Sequence, residues 1–126
     1  MTQEDKDLLL KDLCARLPYE VKVESVFINP DTKEHKSCGI EVFNATSLLM
    51  IRDGLGEFKP YLFPLSSMTE EATREFSATL EWIKAKGHSA SVMTYDSFDC
   101  LNKHHIDYRG LIPLGLALDA TGFNIY

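Results

Sequence analysis

The hydrophobic pattern of the chain changes its period at Pro18, and this change constrains the fold more than any other feature of the sequence. Before Pro18, apolar residues recur every three or four positions, as on a helix with one buried face, and they are Leu9, Leu10, Leu13, Cys14 and Leu17. Between Val21 and Phe27, apolar and polar residues alternate instead, as in a half-buried strand. Proline lacks the amide N–H that a helix interior needs. The pattern therefore predicts a helix over residues 3–17 and a strand soon after it.

Residues 20–65 are predicted to form a four-stranded antiparallel meander. Three turn signals divide this region into four extended stretches, and they lie at residues 29–31, 44–46 and 53–56. The third stretch, residues 47–52, is mostly apolar and is expected to be a strand. Pro60 and Pro64 interrupt the fourth stretch, and because proline donates no ladder hydrogen bond, this strand is expected to be irregular or to lie at an edge. A meander of this length is long enough to curl into a small SH3-like barrel.

The second half of the chain is predicted to be mainly helical. Ser67 and Glu70 have the spacing of a capping box, and a helical apolar stripe runs from there to a stop at Gly87. A short strand is expected at residues 90–94, and a helix of about ten residues is expected after Asp96. The final apolar segment, residues 108–118, is broken by glycines and a proline, and it is interpreted as a helical turn followed by a short strand.

Together these patterns predict a single α+β domain over residues 1–126. It has an N-terminal helix, a strongly bent antiparallel sheet of four or five strands, and two C-terminal helices that pack on the sheet. The apolar stripes are expected to bury a common apolar interior, with no ionisable group required to lie in a dry cleft. No internal repeat or linker is visible, so a second domain is not expected.

Composition and charge exclude several kinds of partner. The chain is 44% hydrophobic and 25% charged, which is typical of a globular protein. Its net charge of -6 repels phosphate backbones, and its Lys and Arg residues are scattered, so no nucleic-acid partner is expected. The start of the chain lacks the pattern of a secretory signal, and the apolar runs are far shorter than the roughly 18 residues of a membrane span. A cytoplasmic location without a membrane partner is expected.

The three cysteines are expected to be reduced thiols without a catalytic role. Cys14, Cys38 and Cys100 are widely spaced, and none belongs to a CxxC pair. Cys14 falls on the stripe of the first helix and Cys38 falls in an alternating stretch, so both are expected to be buried and inert.

His104, His105 and Asp107 form the most suggestive chemical cluster in the sequence. Two imidazoles and a carboxylate within four residues are the groups that bind a metal ion or act as a general base. Adjacent side chains on a helix point about 100° apart, however, so the two histidines cannot ligate one ion without a break in the helix. The structural interpretation is that one histidine packs inward and the other caps the helix.

Residues 107–109 offer a second candidate, a surface recognition patch. Tyr and Arg are enriched at binding hot spots, and Asp107, Tyr108 and Arg109 follow one another in a predicted loop. His104 and Trp82 are assigned to the same possible binding patch. The structural alternative is that Arg109 pairs with Asp107 or with an acidic helix, while Gly110 supplies a positive φ.

Three stretches of the chain together resemble a known group of proteins. They are MTQEDK with LLLKDLCARLPY, YLFPLSSMT and DYRGLIPLGLA, at residues 1–6, 8–19, 61–69 and 107–117. They resemble a family of small uncharacterised proteins that recur in gut Bacteroidales genomes and in the prophages and mobile elements carried by them. The resemblance implies an origin and assigns no catalytic residue, cofactor or partner, and residues 33–52 depart from the family pattern.

The function expected from the sequence is that of a non-enzymatic binding or adaptor protein of prophage or mobile-element origin, acting on a host or phage protein. No catalytic residue, metal ligand or cofactor is assigned. One alternative is a small metal-dependent hydrolase using His104, His105 and Asp107. Another is a protein that sequesters a small ligand, which requires Arg, Lys and aromatic side chains to converge from different segments.

Overall fold

A computed structural model describes residues 2–67, 70, 74 and 99–126. In chain order the helices and strands are α1 (Gln3–Arg16), β1 (Lys22–Ile28), β2 (His35–Val42), α2 (Ala45–Arg52), β3 (Gly56–Pro64), β4 (Ile106–Asp107) and β5 (Leu118–Asp119). Residues 99–103 are also helical, as are Glu70 and Arg74. The predicted α+β class is confirmed: an N-terminal helix and further helical segments accompany a mixed sheet of five strands.

Helix α1 begins with a capping box and ends in a short 3-10 turn. The Thr2 hydroxyl accepts a hydrogen bond from the Asp5 N–H, and the Asp5 carboxylate accepts one from the Thr2 N–H. After Arg16 the chain continues as the 3-10 helix Leu17–Tyr19, with Pro18 among its first residues. Proline is tolerated there because the first turn of a helix needs no internal N–H donor.

The buried face of α1 differs from the predicted one. Its buried residues are Leu9, Asp12, Leu13 and Arg16, whereas Cys14 is exposed. These four positions follow the same spacing of three and four, but the stripe is displaced around the helix toward two charged residues. The expectation of a buried Cys14 is wrong, and the interior is not purely apolar because Asp12 and Arg16 lie in it.

Strands β1 and β2 form an antiparallel hairpin around the predicted turn at residues 29–31. The register shifts between Ser25 and Val26, and the bulge falls at Cys38, next to Gly39, whose φ is +83°. A glycine occupies this left-handed conformation without steric cost. All eight residues of β2 are exposed, so the expectation that Cys38 is buried is wrong.

The apolar stretch at residues 47–52 belongs to a helix, and the predicted strand is wrong. The Asn44 side chain accepts a hydrogen bond from the Ser47 N–H, and the Ser47 hydroxyl accepts one from the Asn44 N–H, each at 3.2 Å. This reciprocal capping box starts α2 at a place where the sequence pattern indicated only a turn. Leu48, Met50 and Ile51 pack against the core from this helix.

Strand β3 lies inside the sheet, which corrects its predicted place at an edge. It pairs antiparallel with β1 and parallel with β4 and β5, so the sheet is mixed and the expectation of a purely antiparallel one is wrong. The Ile28 N–H donates to the Leu55 carbonyl, so these two residues form a hydrogen-bonded pair of β1 and β3. Hydrogen-bonded and non-hydrogen-bonded pairs alternate along antiparallel strands, and Val23 and Pro60 fall in a non-hydrogen-bonded pair, in which the nitrogen of Pro60 points away from β1. Its missing N–H therefore removes no hydrogen bond between these two strands.

The strand order among the described residues is β2-β1-β3-β4, with β5 also beside β3. Within the residues that the structure describes, β2 does not pair with β4. The SH3-like barrel is not confirmed.

The core lies between α1, the inner face of the sheet and the segment after β4. Its buried apolar residues are Leu9, Leu13, Val21, Val23, Phe43, Phe58, Leu62, Leu111, Leu116 and Ala117. The rings of Phe43 and Phe58 meet edge to face, with their centroids 5.8 Å apart. Residues from both ends of the chain thus share one interior.

Several predictions fall outside the described residues: most of the helix predicted to run from Ser67 to Gly87, the strand at residues 90–94, and Trp82. The helical residues 99–103 agree with the helix predicted after Asp96. Gly110 has the positive φ that was expected, +74°. The described part of the chain contains no helix that is long and apolar enough to cross a bilayer.

Candidate functional site

Asp107 is buried, and its carboxylate caps the turn that follows it. The backbone N–H groups of Leu111 and Ile112 each donate to one of its oxygens at 2.9 Å. The position of Asp107 is fixed by the pairing of β4 with β3. Because both oxygens accept hydrogen bonds from the backbone, the carboxylate orders residues 107–112.

His105 packs against the C-terminal segment. Its φ is +60°, which takes the chain out of the preceding helical segment, and its ring stacks on that of Tyr126 with centroids 3.7 Å apart. Burial, helped by the positive charges of Arg16 and Lys22 and by His104, lowers the pKa of His105 to about 4. At neutral pH the ring is uncharged and forms part of the packing.

The residues proposed for a metal-dependent hydrolase do not converge around one point. Asp107 faces the following backbone, and His105 faces Tyr126. Among the described residues, no three His, Cys, Asp or Glu side chains are placed to hold one metal ion.

Tyr108 and Arg109 join a buried cluster with two residues of α1. Arg16 donates to both carboxylate oxygens of Asp12, at 2.8 and 3.2 Å, and to the Ile106 carbonyl at 2.5 Å. The Arg109 Nε lies 3.5 Å from the same carboxylate, so Arg109 pairs with Asp12 and not with Asp107. The guanidinium carbons of Arg16 and Arg109 lie 5.2 and 4.9 Å from the centre of the Tyr108 ring.

This cluster connects the two ends of the chain. The side chains of Asp12 and Arg16 are 0% exposed, and that of Arg109 is 18% exposed. Two guanidinium groups thus share the Asp12 carboxylate, and Arg16 Nη1 has no hydrogen-bond partner in the described part of the chain. A charge buried without its partner is costly, so Asp12 is needed to hold α1 against β4.

Sequence reasoning missed Asp12 and Arg16 because charged residues on a helix usually face water. One signal was available. Asp12 and Arg16 are four residues apart, a spacing that allows a bidentate pair, and Asp12 lies three residues after Leu9, on its side of the helix. Such a pair beside an apolar stripe is compatible with burial.

Tyr126 holds the C-terminal segment against the other face of the sheet. Its hydroxyl accepts a hydrogen bond from the Lys22 N–H at 2.8 Å and donates to the Tyr61 carbonyl at 2.7 Å. The Lys22 ammonium donates to the Ile125 carbonyl. Burial raises the pKa of Tyr126 to about 12.

In the described part of the chain, no strand pairs with the outer backbone edge of β2. The Phe43 N–H donates to the Val21 carbonyl, and the Asn29 N–H donates to the Glu34 carbonyl. Backbone groups point to alternate sides along a strand, so the N–H and C=O groups of Ile40 and Val42 point away from β1. The side chains of Ile40 and Val42 are opposite Glu24 and Lys22 and lie on one face, and these residues are 49% and 43% exposed. An exposed edge strand is a template for pairing with another chain.

A cavity of about 320 Å³ lies between α1 and the start of β3. Leucines of α1 line one side, and Phe58 and Ile51 line the other. Its walls are mainly apolar, and Lys6 and Glu57 are the charged residues of its lining.

The residues predicted as a binding patch are therefore only partly together. Tyr108 and Arg109 are half-buried neighbours in the cluster with Asp12, whereas Asp107 is taken up by its backbone contacts. His104 is half-buried and has contacts of its own, and Trp82 lies outside the described residues. Comparisons with protein families, with curated proteins and with solved structures find no match for this chain.

Proposed function

We propose that this protein is a non-enzymatic binding protein that pairs an extended segment of a partner protein with the edge of β2. The single observation that carries the proposal is the exposure of all eight residues of this strand at the edge of the sheet that the described residues form. In strand addition, backbone hydrogen bonds supply affinity and alternate side chains supply specificity. A partner encoded by a bacterial host or its phage fits the origin that the sequence resemblance implies.

The side chains of β2 define the chemistry of the partner segment. Ile40 and Val42 favour aliphatic residues at the positions directly opposite them. Lys36 and Glu41 lie opposite Phe27 and Val23 and therefore share the other face, where they favour an acidic and a basic residue respectively. The expected partner segment is thus short and extended, with aliphatic residues on one face and charges of both signs on the other.

The bulge at Cys38 restricts which segments can pair. A bulge bends its strand and increases the local twist, which is a common protection of edge strands against indiscriminate association. It divides the β2 edge into residues 35–37 and residues 39–42. A partner must match one of these stretches or carry an irregularity of its own, and this requirement favours a specific interaction.

The test compares two equally exposed aliphatic residues. Ile40 in β2 and Leu49 in α2 are both 49% exposed. Wild-type protein, Ile40→Lys and Leu49→Lys are used to capture proteins from a bacterial lysate, and the candidates are purified. The proposal expects a partner that binds the wild type and Leu49→Lys but binds Ile40→Lys at least about tenfold more weakly.

Hydrogen exchange on the purified complex then locates the contact. Pairing with the β2 edge protects the outward-facing amides of Ile40 and Val42, which pair with no other strand of the described sheet. A partner that binds Ile40→Lys and wild type equally well, or that leaves these two amides unprotected, would refute the proposal. Self-association through β2, detected by sedimentation, would also count against it because the edge would already be occupied.

A further inference from the structure

The cavity between α1 and β3 deepens along α1 toward the hydrophobic core. Four residues of this helix line it, and they are Lys6, Leu9, Leu10 and Leu13. Leu13 is 0% exposed and Leu9 is 8% exposed, whereas Leu10 is 37% exposed. Lys6, which is nearest to the start of the helix, is exposed as well. The cavity therefore has its floor at Leu13 and opens toward the start of α1.

The wall opposite α1 is apolar. Phe58 of β3 is buried in the core, and Ile51 of α2 is half-buried beside it. The Phe58 ring lies close to Gly56, where an added Cβ would be 2.9 Å from the ring and 3.3 Å from the Met50 Cε. The inner surface of the cavity is thus built from aliphatic and aromatic side chains of α1, α2 and β3.

Lys6 is the one charged residue of the described lining whose side chain lies on the cavity side of its element. It precedes Leu13 by seven positions, and at about 100° per residue the two side chains leave α1 in nearly the same direction. Glu57 also belongs to the lining, but it alternates with Phe58 along β3, so its side chain points to the opposite face of the sheet. The aliphatic stem of Lys6 can therefore lie along the cavity wall while its ammonium reaches the opening.

The Lys6 ammonium has no counter-charge among the described residues. The acidic residues on either side of it in the sequence are engaged elsewhere. The Asp5 carboxylate accepts a hydrogen bond from the Thr2 N–H, and the Asp7 carboxylate accepts one from the Gln3 amide at 2.9 Å. Lys6 forms no ion pair within the described part of the chain. An anionic group of a ligand can therefore pair with Lys6 without breaking an existing ion pair.

The volume and length of the cavity suit a medium-chain ligand. A cavity of about 320 Å³ is within the range of ligand pockets, about 300 to 1,000 Å³. It is roughly twice the 150 Å³ apolar cavity that holds a benzene molecule, which gives space for about ten to twelve non-hydrogen atoms. From Leu13 to Lys6, α1 rises about 10 Å. A fatty carboxylate of about eight to ten carbons contains this number of atoms and, when extended, spans about this distance.

We propose that this cavity binds a medium-chain aliphatic carboxylate. The alkyl chain lies against the apolar walls with its methyl end near Leu13, and the carboxylate pairs with Lys6 at the opening. Buried methylenes contribute most of the affinity and an exposed ion pair contributes little, so the chain length sets the affinity and Lys6 sets the preference among end groups. This site is separate from the β2 edge and does not rest on the function proposed for that edge.

A series of carboxylates tests the size of the cavity. Binding of hexanoate, octanoate, decanoate and dodecanoate to the full chain is measured by calorimetry, below the concentrations at which they form micelles. Affinity is expected to rise about fourfold per added methylene up to octanoate, and to level off between decanoate and dodecanoate when the cavity is full. Absence of binding, or an affinity that keeps rising through dodecanoate, overturns the proposal.

Methyl resonances of the wild-type protein locate the ligand. Octanoate is expected to shift the methyl signals of Leu9, Leu13 and Ile51, which line the cavity, and to leave that of Ile40 in β2 unchanged. Shifts that leave out the three cavity residues would place the ligand elsewhere and refute the proposed site.

A cavity-filling variant separates the site from adsorption to the surface. Leu10→Trp places a large ring at the opening, and it is expected to weaken octanoate binding at least about tenfold. Leu49→Trp adds the same ring at an exposed position of α2 that does not line the cavity, and it is expected to bind like the wild type. Equal binding by the two variants, with both folded by circular dichroism, contradicts the proposal. If Leu10→Trp does not fold, the methyl shifts of the wild type decide.

Charge variants test the end group. At low ionic strength, Lys6→Gln is expected to weaken octanoate binding about twofold to fivefold and to leave 1-octanol binding unchanged. Lys11→Gln removes the same charge from an exposed position of α1 that does not line the cavity, and as the control it changes neither. The wild type is expected to bind octylammonium more weakly than octanoate. If the two lysine variants respond alike, or if the wild type binds octanoate and octylammonium equally well, the ligand is not a carboxylate held by Lys6.

Discussion

Removing the Asp12 carboxylate is the most direct test of how the two ends of this chain are held together. In Asp12→Ala, the fully buried guanidinium of Arg16 keeps its hydrogen bond to the Ile106 carbonyl but loses both bonds to the carboxylate. Arg109 loses the same partner, although its 18% exposed side chain can turn toward water. The substitution therefore leaves one positive charge in the interior without a counter-charge.

The expected loss of stability is large. Breaking a buried ion pair by removing one partner costs about 3–5 kcal/mol, because the remaining charge is uncompensated. A small domain has about 5–15 kcal/mol of stability in total. Replacing both residues by apolar ones, in Asp12→Leu with Arg16→Met, is expected to recover most of the loss. The Ile106 carbonyl then lacks its donor, at a cost of about 1–3 kcal/mol.

Urea unfolding followed by circular dichroism measures these free energies by linear extrapolation. Asp53→Ala removes the carboxylate from the exposed Arg52–Asp53 pair and serves as the matched control, with an unchanged unfolding midpoint. If Asp12→Ala costs less than about 1 kcal/mol, or if the double variant is less stable than Asp12→Ala, then Arg16 is not the uncompensated buried charge that the structure describes.

Three further predictions concern the C-terminal packing and the thiols. The fold lowers the pKa of His105 to about 4, so between pH 4 and 6.5 the unfolded chain binds a proton that the folded chain does not. The free energy of unfolding should therefore increase by about 1–2 kcal/mol as the pH is raised from 4 to 6.5, after allowance for screening by water, and urea titrations of His105→Asn should lack this increase. Tyr126→Phe removes the hydroxyl that bonds the backbone of two strands and should lower the free energy of unfolding by about 1–2 kcal/mol, whereas an unchanged value would contradict the observed hydrogen bonds. A thiol reagent should label the exposed Cys14 and Cys38 in the native protein and the buried Cys100 only after unfolding, as mass spectrometry of the labelled peptides can verify.

The β2 edge and the cavity beside α1 differ in how much of each is visible in the sequence. Ile40 and Val42 are visible in the sequence as part of an alternating strand, but their exposure depends on the absence of a further strand beside β2 in the described sheet. The cavity is not visible in the sequence at all. Its floor joins Leu13 and Phe58, which lie 45 positions apart in the sequence.

The sequence by itself determined the elements whose signals are local. The helical spacing before Pro18 gave α1, and the turn residues 29–31 gave the hairpin of β1 and β2. These features depend on backbone conformations that a few neighbouring residues favour or forbid. The α+β class followed from the order of such segments.

Tertiary structure decided which faces are buried and which strands are central. An apolar run such as residues 47–52 suits a strand or a short helix, and the Asn44–Ser47 capping box together with packing on the core made it a helix. Pro60 is acceptable inside the sheet because its nitrogen points away from β1 and the pairing with β5 begins only at Tyr61, facts of register that no local pattern contains. Asp12 and Arg16 are buried because Ile106 and Arg109, more than 80 residues later, complete their contacts, and only the folded chain brings those partners together.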